Sequence, residues 1–483
     1  MPNSEEYFRS KRFKDTLAQY EENEMAGVPN CISSDEFADI AEYYYNLGNE
    51  EAALNAIETA IRMYPGETIP LVFRARMEMM EGGNTEKARE FIDCISDKSD
   101  IEYVYIMSEI LLTEGREKEA DAYLEEQYSK MDEEDEERDF FCIDIAAIYT
   151  EYEDIDIAEK WFARCRRKDI LEYKEVEARI TMARGEFVKS QKLYQELIDK
   201  NPYSTGYWNA LASSQFFNNE IEESINSSEF SIAIDPENAP AILNKANALY
   251  NLGNHAEALK YYEKYNRLSP EDDNGIMLIG LCHLLLEDFS KAVTYLREAL
   301  DMCSPDSPNA VDLRKDLAYA MCRLDLVDDA MALLDETKVL ECDHDEMLAY
   351  RGSLLLGCKR FEEARQCFIK ALENTDFNPS IMTKIAMIIY ESGDIMMAYK
   401  MFKSLYANTS DWHKGIVYYA VCCFDLGKHE EFFKVLKLAV EHTPDETKEV
   451  LGTLFPDGMS TKEYYDYAIN KKDFFELKSK NER

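Results

Sequence analysis

Residues 205–238 read TGYWNALASSQFFNNEIEESINSSEFSIAIDPEN, and residues 239–272 read APAILNKANALYNLGNHAEALKYYEKYNRLSPED. Shifted by 34 residues, the two stretches register: Ala212 falls on Ala246, Phe216 on Tyr250, Asn219 on Gly253 and Pro236 on Pro270. A fixed period of this kind marks a chain assembled from copies of one supersecondary unit. Within 239–272, Ile242, Ala246 and Leu249 recur at helical spacing until Gly253 interrupts them. Ala258, Leu259 and Tyr262 resume the spacing, and Pro270 ends it. Each period therefore predicts two amphipathic helices joined by a short turn. One such pair cannot bury its apolar face alone, so neighbouring pairs must stack.

The register extends outward in both directions. Toward the N-terminus, Phe37, Ile40, Ala41, Tyr44, Gly48, Ala53, Ile57, Ala60 and Pro65 fill a first unit that begins near Ser34. Units near 68, 101, 139 and 171 keep the small residues Ala75, Ser108, Ala146 and Ala178. Toward the C-terminus, units near 273, 311, 345, 379 and 413 keep Gly280, Ala318, Gly352, Ala386 and Ala420. Twelve units, from about 34 to 446, are predicted to cover most of the 483 residues. Residues 1–33 are expected to form an N-terminal capping helix, with Phe13, Leu17 and Tyr20 on one face and Gly27 as its stop. Residues 447–483 are expected to hold a C-terminal capping helix, opened by a Ser460–Glu463 capping box, and a charged tail. Phe432 occupies a slot where the unit wants alanine, which predicts altered packing at that end.

The residue types in these slots carry a resemblance. Trp208, Leu211 and Ala212 stand as W-x2-L-[small], and Ala258, Tyr262 and Pro270 stand as A-x3-F…P one period later. The chain resembles the tetratricopeptide repeat (TPR) family. That resemblance implies an all-α fold, a right-handed superhelical solenoid of about twelve helix-turn-helix units with a concave inner surface. It implies a non-catalytic scaffold that binds a peptide segment or partner protein in the groove. The family's inward positions are the second, fifth, sixth, ninth, twelfth and thirteenth of each repeat. In the middle of the chain these supply Asn209, Ser213, Phe216 and Phe217, then Asn244, Asn247, Tyr250 and Asn251. Tyr319, Tyr350 and Tyr390 follow further along. Amides both donate to and accept from a peptide backbone, and rings take apolar side chains at little entropic cost. These residues are therefore the candidate partner contacts. The family's clamp for C-terminal carboxylates also needs cations on consecutive inner helices. Asn244 and Asn247 match its amides, but Asn209, Ser213, Met277 and Leu278 occupy the neighbouring inward positions without a cation.

Charge and composition narrow the partner. Lys and Arg number 54 against 96 Asp and Glu, a net charge of −42. Binding to a nucleic-acid backbone needs cations that displace counterions, so a neutral to basic protein or peptide is expected instead. Twelve cysteines show no CxxC pair, and several take small packing slots, which suggests a reducing compartment. The start MPNSEEYFRSKRFKD lacks the apolar core of a signal peptide. The apolar run Ile276–Leu286 is too short to span a bilayer. A cytoplasmic location, no membrane and no cofactor are the resulting expectations.

Catalytic and metal readings find little support. Gly352–Lys359 passes for a phosphate loop until Cys358, which displaces the lysine, and it lies on a helix rather than after a strand. Cys342, Asp343, His344 and Asp345 lack a second ligand cluster. The alternative to groove binding is self-assembly through the end helices. In the sixth unit, Ser224, Ser228 and Ser231 fill inter-helix slots that want Ala, an aromatic and Ala, which predicts a soft joint near 220–235.

Overall fold

The computed structural model describes residues 7–8, 10–29, 31–132, 136–270, 272–304, 307, 309–339, 343–409, 412–472 and 475. Helices form the described chain, and no strand occurs among the described residues. Cys342 and most of the charged tail beyond 472 lie outside the described residues. A leading helix, Lys11–Ala26, is followed by twelve helical hairpins, and the short helices Pro444–Leu451 and Tyr464–Asn470 close the series. The described chain is thus an all-α solenoid of stacked hairpins. None of its helices is long and apolar enough to cross a membrane.

The chain divides into two compact units, residues 1–234 and 235–483. The first holds the leading helix and six hairpins, whose first helices begin at Ser34, Thr68, Ile101, Glu137, Leu171 and Thr205. The second holds six more, beginning at Ala239, Asp273, Asn309, His344, Pro379 and Ile416, together with the closing helices.

Local chemistry explains where each helix starts and stops. Ser33 accepts the Glu36 backbone N–H at 3.2 Å while its own N–H donates to the Glu36 carboxylate at 3.0 Å, a reciprocal cap. Ser204 and Asn238 cap the first helices of the sixth and seventh hairpins by accepting the backbone N–H of Tyr207 and of Ala241. Every hairpin turns through one left-handed residue. In seven hairpins it is glycine, as at Gly48 and Gly253, and in five it is Glu153, Asn219, Glu287, Asp325 or Lys359.

Small residues set how closely the paired helices approach. Ala53, Ala88, Ala120, Ala158, Ser190 and Ser224 are fully buried at equivalent places on the second helices of the first unit. In the second unit, a Cβ at Gly352 would lie 2.3 Å from the Phe368 ring, so only glycine admits that ring.

The ends are closed by rings. Phe13 and Tyr20 of the leading helix are buried, and Tyr20 meets Phe37 edge-on at 5.9 Å. At the other end the buried Phe432 stacks on Phe475 at 6.0 Å and packs against Phe424 at 5.4 Å. Phe455 stacks on Tyr464 at 3.9 Å, behind a turn capped reciprocally by Ser460 and Glu463. The phenylalanine in this alanine slot packs among rings, Phe424 from the paired helix and Phe475 from the C-terminal segment.

Candidate functional site

The first helices of the second to fifth hairpins line a groove of about 980 Å³ in the first unit. Helical spacing places one face of each helix there. Phe140, Asp144, Ala147, Ile148 and Glu151 form the stripe on Glu137–Glu151. Glu102, Tyr105 and Glu109 come from Ile101–Thr113, and Glu172, Glu175, Val176 and Arg179 from Leu171–Ala183. Met79, Met80 and Arg76 close one side. The lining is acidic and apolar together, with six carboxylates against three cations.

Some of these carboxylates are already neutralised. Arg76 donates to Glu109 from Nε at 3.1 Å and from Nη2 at 2.8 Å, a bidentate pair, and reaches Glu102 at 3.6 Å. Arg179 stands 3.5 Å from Glu151. Asp144 accepts the hydroxyl of the buried Tyr105 at 2.8 Å, and Glu175 accepts that of Tyr207. Neighbouring groove atoms partly dehydrate Glu102, Asp144 and Glu151 and raise each carboxyl above its ordinary range, while Asp144 and Glu151 stay open to solvent on the groove side. The Tyr105 hydroxyl at Asp144, and the guanidinium groups of Arg76 and Arg179 at Glu102 and Glu151, oppose that rise.

Asn209, Phe216 and Phe217 belong to the first unit, and the other sequence-predicted contacts belong to the second. Phe217 is exposed and stacks on Phe187 at 5.7 Å, with Phe216 edge-on to it at 5.7 Å. Asn209 is half-buried. In the second unit Asn244 is half-buried and Asn251 exposed. The Asn247 amide oxygen accepts the hydroxyl of the buried Tyr262 at 2.8 Å, and the Tyr250 ring meets His255 at 5.1 Å. Tyr319 and Tyr350 share the wall of a cavity of about 610 Å³ with Arg323, whose guanidinium donates to the Tyr319 hydroxyl at 2.9 Å. Tyr350 also lines a second cavity of about 540 Å³ and donates to the Lys315 carbonyl at 2.8 Å. Tyr390 donates to Asp425 at 3.1 Å.

Sequence reasoning centred on the amides and passed over the acidic groove. The signal was present. Most of the family's inward positions in the third, fourth and fifth repeats fall in the groove lining, among them Glu102, Tyr105, Glu109, Ile143, Asp144, Ala147, Glu151, Glu172, Glu175, Val176 and Arg179, while Ile106, Leu112, Thr150, Met182 and Ala183 do not. Asp316 was also passed over. Burial pushes its carboxyl up to about 6, and it stands within electrostatic reach of both Tyr250 and Tyr350.

Models of the tetratricopeptide repeat match residues 37–67, 209–273 and 243–310. The TPR repeat-containing protein MJ1428 of Methanocaldococcus jannaschii is 28% identical over 218 residues, which are 40% of this chain and 37% of that protein. The chain thus spans little more than a third of the curated relative that it matches. Among solved structures, yeast Tom70 is similar with a TM-score of 0.42 and 14% identity, over 98% of this chain and 95% of that one. YrrB, described as a TPR protein with an unusual peptide-binding site, gives a TM-score of 0.34 and 19% identity over 38% of this chain and 92% of that one. Family matches fall in both units, on hairpins whose period and small-residue slots run through the described chain. Residues 37–67 and 209–310 thus match tetratricopeptide repeats, and a fold built of such repeats suggests a protein-interaction scaffold.

Proposed function

We propose that this protein is a non-catalytic scaffold that holds an extended segment of a partner protein against the first helices of its hairpins. The groove of the first unit carries the reading. About 980 Å³ of space runs along four consecutive hairpins, with apolar side chains between carboxylates. A surface of that length and composition suits a peptide rather than a small substrate, and its charge favours a neutral to basic one. The amides and rings at Asn209, Phe216, Phe217, Asn244, Asn247, Tyr250, Asn251, Tyr319, Tyr350 and Tyr390 are further candidate contacts within their own units.

A steric block tests this without changing charge. Ala147 lies half-buried in the groove wall on Glu137–Glu151. Peptides selected by display on the full chain should lose binding to Ala147→Trp while the helical circular dichroism is kept. Equal binding to the filled groove would reject it as the site.

A further inference from the structure

We infer that the segment held in the first unit's groove is anchored by a basic side chain, arginine or lysine, seated on Asp144 between Glu102 and Glu172. This rests on the groove reading above and specifies the chemistry of the ligand.

Asp144 differs from its neighbours in how its charge is met. Glu109 is clasped by Arg76, and Glu151 has Arg179 beside it. Among the described residues the side chain that bonds to Asp144 is the neutral Tyr105 hydroxyl at 2.8 Å, and no described lysine or arginine forms an ion pair with it or with Glu172. Glu102 and Glu172 are both within electrostatic reach of Asp144, one from the preceding hairpin and one from the next. Three like charges set in a partly dehydrated wall repel one another, and an incoming cation relieves that repulsion as well as making its own pair.

The surroundings select an organic cation on an aliphatic stem. Ala147 and Ile148 continue the Asp144 stripe along the helix, and Val176 faces the same groove from the next hairpin. Charged and apolar patches in alternation match a side chain that is aliphatic along its length and cationic at its tip. A peptide C-terminal carboxylate is disfavoured, because it would meet six carboxylates and three cations that are partly paired already.

The test uses the full chain and arrays of N-acetylated, C-amidated nonapeptides, with flanks randomised among uncharged residues around a fixed central Arg, Lys, Gln or Glu. Capped termini leave the side chain as the only cation under test. Arg and Lys peptides should bind at least tenfold more tightly than matched Gln peptides, and Glu peptides should bind weakest. Asp144→Asn keeps an acceptor for Tyr105 and removes the charge. It should erase the tenfold preference, so that Arg, Lys and Gln peptides bind alike, and Glu172→Gln should reduce the preference in part. Two results would overturn the anchor: a preference that survives in Asp144→Asn, or Gln peptides that bind the parent chain as well as Arg peptides. If those same peptides still lose binding to Ala147→Trp, the groove stands and only its basic anchor falls. Binding indifferent to Ala147→Trp removes the groove and the anchor together.

Discussion

Two successive hairpins show how one backbone plan tolerates unlike interiors. In Thr205–Phe217 and Ile221–Ile234, the slots between the helices hold Ser224, Ser228 and Ser231, all fully buried. In Ala239–Asn251 and His255–Leu268, the same slots hold Ala258, Tyr262 and Tyr265. Helix lengths are equal, and each turn passes through one left-handed residue, Asn219 in the first and Gly253 in the second. The serine hairpin satisfies its hydroxyls internally. Ser224 donates to the Ala212 carbonyl at 2.8 Å, Ser228 to the Ser224 carbonyl at 2.8 Å, and Ser231 to the Thr205 carbonyl at 3.4 Å. Its rings lie outside, where the exposed Phe230 stacks on Trp208 at 4.6 Å. The tyrosine hairpin instead buries a ring, Tyr262, and ties its hydroxyl to Asn247. The helix pair therefore requires a close approach at a few small positions and satisfaction of whatever polar atoms are buried. It does not require any one apolar filling.

The sharpest way to break the comparison is at the slot shared by Tyr262 and Ser228. Tyr262→Ala empties a fully buried ring's volume and strands the Asn247 contact, so it should cost about 3–5 kcal/mol in chemical unfolding followed by circular dichroism. Ser228→Ala removes a hydroxyl bonded within its own helix and should cost less than about 1 kcal/mol. Equal losses at the two positions would mean that the serine hairpin is as tightly filled as its neighbour.

The turns give a smaller effect. No heavy atom lies within 4 Å of a Cβ built on Gly253, so Gly253→Ala is penalised by backbone conformation alone. The left-handed φ of 76° predicts a loss of about 1–2 kcal/mol. Asn219 holds φ 62° in the equivalent place, and Asn219→Gly should change stability by no more than about 0.5 kcal/mol, because asparagine tolerates this region. Thermal unfolding of both variants measures the difference. A costless Gly253→Ala would show that the turn relaxes out of the left-handed region.

The least effect on global stability is expected for a local measurement. Hydroxyls bury less apolar surface than a ring, so backbone amides in 221–234 should exchange faster than those in 255–268. Equal protection, read by hydrogen exchange with mass spectrometry, would remove the soft joint proposed near 220–235.

Much of the fold was legible because its determinants are local and periodic. Ala212 and Ala246, Asn219 and Gly253, and Pro236 and Pro270 each encode a close approach, a turn or a stop within a few residues of themselves. The Phe432 anomaly was legible too, as an oversized residue in a small slot, but its partner was not. Phe475 lies outside the repeat register, and nothing local connects the two. The groove was legible in position and obscure in character. Asp144 and Glu109 are both acids at inward positions, yet among the described residues a lysine or arginine pairs with Glu109 and none with Asp144, and the difference lies in an arginine 33 residues from Glu109.

The 34-residue period, the alternation of small and large slots, and the capping and turn residues are properties of the sequence alone. They determine helices, hairpins and the need to stack, since each acts over one or two helical turns. Tertiary structure alone decided which rings turn inward, as Tyr262 does and Phe230 does not, and which carboxylates a described arginine clasps, as Arg76 clasps Glu109 while Asp144 meets the Tyr105 hydroxyl. Both depend on atoms contributed by other hairpins or other helices, at distances of a few ångströms that no periodicity along one chain specifies. Burial and charge compensation are properties of neighbourhoods, and stacking is what creates the neighbourhoods.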